Sequence, residues 1–279
     1  LRIANVHQQR NFMPFGKWAR QSDRPDVIVA STPPYDLAYQ AARYSERHEV
    51  PLLVDIRDPW PDLFLNHVPR ILHPVARMAL GREFQMMRRL CRSAVGVIGA
   101  TGTFLELGLR YAGRPRNAWD RVFYLGYRPR RAGAPSEKAR AVAERCRGAF
   151  VVLFLGTLAA YHNPSVMIDA AKRLRDRRVV FVIAGDGELH DRLAAQAAEL
   201  PNVVMTGWLG QGDIDSVLPL AHAGVCPTPF QIDLFPNKAF VYFSAGLPVL
   251  SAFQGDLQRL LTTEQAGYHF APEIGRAFV

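Results

Sequence analysis

The sequence is poor in cysteine and lysine, and it lacks both long apolar runs and the familiar glycine patterns of phosphate loops. Its three cysteines, Cys91, Cys146 and Cys226, stand far apart with no CxxC or CxxxC spacing. Neither a zinc site nor a disulfide framework is expected, and a reducing compartment fits. The histidines show no ligand spacing either, so no metal is expected. No apolar stretch reaches the ~18–20 residues needed to cross a bilayer, which leaves a soluble or peripheral protein. There is no Walker loop and no GxGxxG fingerprint. Zinc-finger, helix-turn-helix and aromatic-interleaved basic motifs are also missing, so nucleic acid is not expected as a partner.

Arginine is abundant: it supplies 30 of the 34 Lys and Arg residues. The charge is uneven, with 25 Lys and Arg against 13 Asp and Glu in residues 1–150, and 9 against 12 in residues 151–279. A basic first half without a nucleic-acid motif points to an anionic membrane surface. At 279 residues the chain exceeds the usual single-domain size, and two domains are expected.

Short β-branched runs alternate with longer helical patterns, the arrangement of βαβ units that build parallel sheets covered on both faces. In the first half the runs are Asp26-Val-Ile-Val-Ala, Pro51-Leu-Leu-Val-Asp-Ile, Ala94-Val-Gly-Val-Ile and Val122-Phe-Tyr-Leu, with helices near 36–48, 70–92 and 103–111. The turn formers and charge of Arg128-Pro-Arg-Arg-Ala-Gly-Ala-Pro-Ser mark a linker, dividing residues 1–130 from 131–279. The second half reads as strands at 151–156, 179–185, 203–207, 224–227 and 248–251, with helices at 164–176, 188–199, 212–221, 236–245 and 255–264. That is a complete doubly wound domain. The first half has few strands ahead of its first helix and begins with Leu, so an N-terminal portion is expected to be missing. The fold class is therefore α/β, with two Rossmann-like doubly wound parallel-sheet domains, the first incomplete.

Four places carry chemistry. Residues 236–251, Pro-Asn-Lys-Ala-Phe-Val-Tyr-Phe-Ser-Ala-Gly-Leu-Pro-Val-Leu-Ser, form an apolar helical run that passes through Gly-x-Pro into a strand. A helix N-terminus carrying Asp233, Asn237 and Lys238 beside free backbone N–H groups suits a phosphorylated ligand; an ordinary core helix capped by Gly246 is the alternative. Gly156-Thr157 and Gly185-Asp-Gly-Glu directly follow strands, where backbone can approach a ligand, or where glycine merely turns the chain. Asp55-Ile-Arg-Asp-Pro-Trp-Pro closes a strand with acids, an Arg and a Trp, either as a loop meeting a polar ligand or as an Arg57–Asp58 pair capping the sheet. Ser31-Thr-Pro-Pro ends the preceding strand and flanks the same place. The 70–92 helix mixes Ile71, Leu72, Val75, Met78, Phe84, Met86, Met87 and Leu90 with Arg70, Arg77, Arg82, Arg88, Arg89 and Arg92, which fits membrane docking or a solvated arginine face.

Together these segments resemble the retaining family 4 glycosyltransferases of the GT-B fold, in the bacterial branch that builds cell-surface polysaccharides and glycolipids. The resemblance runs from Asp26 to about Pro272. It rests on Arg57-Asp-Pro-Trp-Pro, Leu155-Gly-Thr-Leu, Ala184-Gly-Asp-Gly, Asn202-Val-Val-Met-Thr-Gly, and Pro236-Asn-Lys with Gly246-Leu-Pro-Val. It implies a C-terminal domain that binds a UDP- or GDP-linked sugar as co-substrate, with no cofactor and no metal. The N-terminal domain would bind a lipid-linked or polysaccharide acceptor, with transfer in the cleft between them. The expected place is the cytoplasm, at the inner face of the cell membrane, with peripheral contact through residues 70–92.

The resemblance also assigns residues. The donor side would comprise Gly156, Thr157, His162, Gly185, Gly187, Leu234, Phe235, Asn237, Lys238 and Val241. Asp233 would contact the donor sugar, the Leu234 and Phe235 amides would face the diphosphate, and Lys238 would be its cation. Asp58 and Arg57 would line the acceptor side, Asp58 hydrogen-bonding the incoming hydroxyl. The family's acid-x7-acid pattern falls on Asp233 and Val241, and valine cannot hold a ribose hydroxyl. Thr157 and His162 stand where many members carry a basic pair. These departures leave open a catalytically silent GT-B binding or scaffold protein. Another GT-B enzyme, such as a nucleotide-sugar epimerase, is a third reading.

Overall fold

The computed structural model describes residues 3–6, 24–128, 134–230 and 233–271. The chain divides into two compact units, Leu1–Tyr124 and Leu125–Val279. The division expected between residues 130 and 131 lies outside the described residues.

The first unit holds five parallel strands in the order β1-β2-β3-β4-β5: β1 (Ile3–Val6), β2 (Val27–Thr32), β3 (Leu52–Ile56), β4 (Gly96–Gly99) and β5 (Arg121–Val122). Helix α1 (Tyr35–His48) buries Ala38, Ala41, Ala42 and Ser45, small residues at the i, i+3, i+4, i+7 spacing of one face. The single helix expected over 70–92 is instead three pieces: a 3₁₀ turn (Arg70–Leu72), α2 (His73–Ala79) and α3 (Gly81–Ser93). Pro74 fits only the first turn of a helix, and Gly81 is a poor residue for a helix interior. The break separates two surfaces. Helix α3 buries Phe84, Met86, Met87, Leu90 and Cys91, whereas α2 buries nothing. Helix α4 (Gly102–Ala112) starts where the Thr101 hydroxyl accepts the Phe104 amide, an N-cap that satisfies an otherwise orphan donor.

The second unit is a six-stranded parallel sheet in the order β11-β10-β9-β6-β7-β8, formed by β6 (Phe150–Leu155), β7 (Val179–Ala184), β8 (Val203–Gly207), β9 (Ala223–Cys226), β10 (Val249–Ser251) and β11 (Gly267–His269). Its helices are α5 (Glu137–Cys146), α6 (Ser165–Arg173), α7 (His190–Ala197), α8 (Gln211–Val217), α9 (Asn237–Ser244) and α10 (Asp256–Thr263). Successive side chains of a strand point to opposite faces, and β6 divides accordingly. Val151, Leu153 and Leu155 join one core with α5, α9 and α10, whereas Val152 and Phe154 join another with α6 and α7. The chain winds from β6 through β7 and β8, then returns to place β9 on the other side of β6. This reversal makes the carboxyl ends of β6 and β9 the topological switch point, where open α/β sheets form their ligand crevice.

Strands β1 and β11 were not expected from the sequence, and β5 spans two residues rather than the run beginning at Val122. Both outer strands of the second sheet are edge positions, where short pairing suffices.

Candidate functional site

Helix α9 carries the principal group of the second unit. Tyr242 is fully buried, and its hydroxyl accepts the Leu155 amide at 2.8 Å and faces the Val225 carbonyl at 3.4 Å. It thus ties α9 to the ends of β6 and β9. Gly224 permits the approach, since a Cβ there would lie 2.2 Å from the tyrosine ring. One turn earlier on the same face stands Lys238. Its stem is partly exposed, but Nζ is shielded from solvent and, among the described residues, has no hydrogen-bond partner. The ammonium lies 4.0 Å from the centre of the Phe154 ring, and burial pushes its pKa down to about 8.

Gly156 and His162 complete this corner. A Cβ on Gly156 would sit 3.0 Å from Lys238 Nζ, so the missing side chain is the space the ammonium uses. The His162 ring bonds to the Pro227 backbone, just beyond β9. Its Nδ1 is buried without a partner among the described residues. Burial first, and the Lys238 charge second, hold its pKa at about 4. At neutral pH the corner therefore contains one cation, Lys238, and one neutral imidazole. A buried ammonium without a hydrogen-bond acceptor is costly, and the group that relieves it best is an anion. Cys226, at the end of β9, contributes no charge, because burial pushes its thiol up to about 12.

The other donor-side candidates divide. Gly185 and Gly187 interlock the loops after β6 and β7: a Cβ on Gly185 would fall 1.8 Å from the Gly156 carbonyl oxygen, and one on Gly187 2.6 Å from that of Leu158. Their glycine character has a packing cause. Thr157 and Asn237 are exposed, the first beyond β6 and the second opening α9. Phe235 is buried and stacks on Phe240 with ring centres 4.4 Å apart, and Leu234 packs beside it. Asp233 bridges to Gln254 and lies against Gly255, the residue preceding α10. Val241 packs against the hydrophobic core.

In the first unit the loop after β3 is organised by Asp55, the first acid of the motif read from the sequence but one to which no role was assigned. Its Oδ2 accepts Ser31 Oγ at 2.8 Å and Arg57 Nε at 2.7 Å. The Arg57–Asp58 pair weighed from the sequence is thus an Arg57–Asp55 pair, because alternation along β3 returns residues 55 and 57 to the same side. The Arg57 amide also bonds the Thr32 carbonyl, joining the ends of β2 and β3. Asp58 is left without an ion pair among the described residues, and burial raises its pKa above the usual carboxylate value. Trp60 packs edge-on against Phe64 at 4.4 Å, and Tyr111 donates to Asp62.

Sequence reasoning also missed Phe154 and Tyr242. The four-residue spacing of Lys238 and Tyr242 was the available signal. Among the described residues no group of three or more His, Cys, Asp or Glu is placed to hold a metal ion, and no helix is long and apolar enough to cross a membrane.

Residues 149–279 match the family described as Glycosyl transferases group 1. No curated protein matches the chain in sequence. In fold, the chain is similar to Anabaena HepE in complex with UDP, with a TM-score of 0.69 and 17% identity over 94% of this chain and 69% of that one. It is similar to sucrose-phosphate synthase from Thermosynechococcus elongatus at 0.68 and 15%, covering 95% of this chain and 65% of that one. The lipopolysaccharide outer core galactosyltransferase WaaB, in its apo form, gives 0.58 and 17%, with 95% and 66% covered. The chain therefore has the fold of the GT-B glycosyltransferases, and its second unit carries a sequence match to one of their families.

Proposed function

We propose that this protein is a retaining glycosyltransferase that moves a hexosyl group, without a metal, from a nucleotide-diphosphate donor to a lipid-linked or polysaccharide acceptor at the inner face of the cell membrane. The observation that carries this reading is the buried Lys238 ammonium at the β6/β9 switch point, which rests on the Phe154 ring and has no hydrogen-bond partner among the described residues. It is a ready site for a diphosphate. Anabaena HepE was solved with UDP, with UDP-glucose, and with UDP and glucose, which makes UDP-glucose the first donor to test.

In the reaction the bond between the anomeric carbon and the diphosphate oxygen breaks, and the acceptor oxygen bonds to that carbon on the face the diphosphate leaves. The acceptor proton departs with the diphosphate. Charge builds on the leaving oxygen, where Lys238 lowers the barrier, as fixed donors do for any developing anion. His162 Nδ1, a neutral acceptor, takes a hydrogen bond from a donor hydroxyl. Asp58, with its raised pKa, hydrogen-bonds the incoming acceptor hydroxyl while Arg57 shapes the same loop through Asp55. Asp233 contacts the sugar, and the Leu234 and Phe235 amides support the phosphates.

The core packing of Val241 favours a second reading, a GT-B protein that binds a nucleotide without turnover. Calorimetry with UDP, GDP and UDP-glucose, followed by a transfer assay with radiolabelled donor, separates the two. Saturable binding with transfer supports the enzyme, and binding without transfer or donor hydrolysis supports the silent protein. Absence of binding by a folded sample refutes both.

A further inference from the structure

We propose that the segment Arg70–Ala79 is the part of this protein that enters a membrane surface, docking on anionic lipid headgroups. This specifies the peripheral contact named above and moves it off the longer helix α3. In that helix Phe84, Met86, Met87 and Leu90 are core residues, so its outward face is polar, made chiefly of arginines. One of those, Arg89, is held by Glu46.

The 3₁₀ turn Arg70–Leu72 and helix α2 have the opposite character. Neither contains a buried residue. Ile71 is 85% exposed, Met78 78%, Val75 57% and Leu72 48%. Positions 71, 75 and 78 follow the i, i+4, i+7 spacing of one helical stripe. Seven residues cannot hold a helix through backbone bonds alone, since nucleation costs more than so few bonds return. Local bonds pin the segment instead, with His73 Nε2 3.1 Å from the Val68 carbonyl and the Leu72 amide 2.8 Å from that of Pro69. A pinned, outward apolar stripe of this size marks an interaction surface.

Charge selects what covers it. Residues 63–82 contain Arg70, Arg77 and Arg82 and no Asp or Glu. Arg77 is steadied over the Phe84 ring at 5.6 Å. Of the acids that flank this window, Asp62 accepts a bond from Tyr111 and Glu83 lies in the first turn of α3, so the stripe carries three arginines against one outlying carboxylate. An apolar stripe with that excess of cations complements an anionic headgroup layer, which attracts each arginine while its acyl boundary accepts the side chains between them. A second copy of the chain is a poor cover, because residues 1–150 are themselves strongly basic.

The test uses the full chain and vesicles of phosphatidylcholine with or without phosphatidylglycerol. Sedimentation should show binding to the anionic vesicles, weakened roughly tenfold or more by Ile71→Ser with Met78→Ser, and about fivefold by each of Arg70→Gln and Arg82→Gln. All four side chains lie outside the core, so circular dichroism should be unchanged. Met78→Trp should show blue-shifted emission when the anionic vesicles are added. The proposal is overturned if the wild type ignores these vesicles or the serine pair binds them as tightly. It is also overturned if the tryptophan emission stays put, or if the serine pair converts a dimer to a monomer. No sugar donor enters the assay, so its failure leaves the transferase reading standing, and failure of transfer leaves this contact standing.

Discussion

Lys238 and Tyr242 stand one helical turn apart on α9, and the bond from the Leu155 amide to the Tyr242 hydroxyl sets the height at which Lys238 Nζ meets Gly156 and the Phe154 ring. Packing and ligand chemistry are thus adjacent on one helix face. Each can be altered separately.

Lys238→Met keeps the length of the stem and removes the buried charge. Affinity for UDP should fall roughly 30–100-fold, the loss expected for a charge-assisted contact, while uridine binds as before. The unliganded protein should gain about 1–2 kcal/mol of stability, since an unpaired buried cation is unfavourable. Calorimetric titration and thermal unfolding check the two halves; a Tm that falls would mean the ammonium is already paired.

Donor affinity should depend on pH with a midpoint near that of Lys238, about 8. Below it the ammonium is present and affinity is full; above it the cation is lost and affinity declines by about tenfold per pH unit. Binding near pH 8 should take up protons, because the bound diphosphate favours the charged lysine. The stability contribution has the opposite slope. The folded pKa lies below that of an unfolded lysine, so the unliganded protein gains stability from this group as pH rises through 8. Titrations in buffers of different ionisation enthalpy measure the proton uptake.

Tyr242→Phe removes one oxygen from a fully buried position and leaves the Leu155 amide without its acceptor. A cost of about 1–3 kcal/mol is expected. UDP affinity should fall several-fold while the midpoint near pH 8 persists, as befits a positioning residue. An unchanged affinity in a destabilised protein would confine Tyr242 to folding.

Asp58→Asn should leave UDP binding intact and lower the transfer rate roughly 100-fold, the usual scale for a group acting on a hydroxyl proton. Asp55→Asn disturbs the same loop through Ser31 and Arg57 and should lower stability as well. Initial rates with matched titrations distinguish them. If Asp58→Asn transfers normally, the acceptor hydroxyl is held elsewhere.

Most strands were legible because buried parallel strands read as short apolar, often β-branched runs, and β2, β3, β4, β6, β7, β8, β9 and β10 lie on or within a residue or two of those runs. Strands β1 (Ile-Ala-Asn-Val) and β11 (Gly-Tyr-His) escaped notice because neither holds a run of β-branched residues, and β5 was read as a longer run from Val122 than the two residues that pair. The 70–92 stretch misled because apolar residues at helical spacing look alike whether they face a core or solvent, as Met87 and Met78 do. The candidate site was legible only as motifs. That Lys238 meets Gly156 and that His162 reaches Pro227 depends on strand order, which no local window contains. That Ser31 flanks this loop was legible, but which of the two acids, Asp55 or Asp58, it and Arg57 would bond was not, because that choice depends on side-chain direction at the strand end.

The ammonium resting on the face of Phe154 has a consequence for turnover. Water has been stripped from Lys238 during folding, before any nucleotide arrives, so dehydration does not oppose the encounter and rehydration does not reward departure. In the proposed reaction a spent nucleoside diphosphate keeps both of its phosphates after the sugar has gone, and it should grip the dry cation at least as firmly as the intact donor. Exit of that leaving group is then expected to be the slow step of each cycle, and UDP should compete with fresh donor far better than UMP, which inhibition measurements would show.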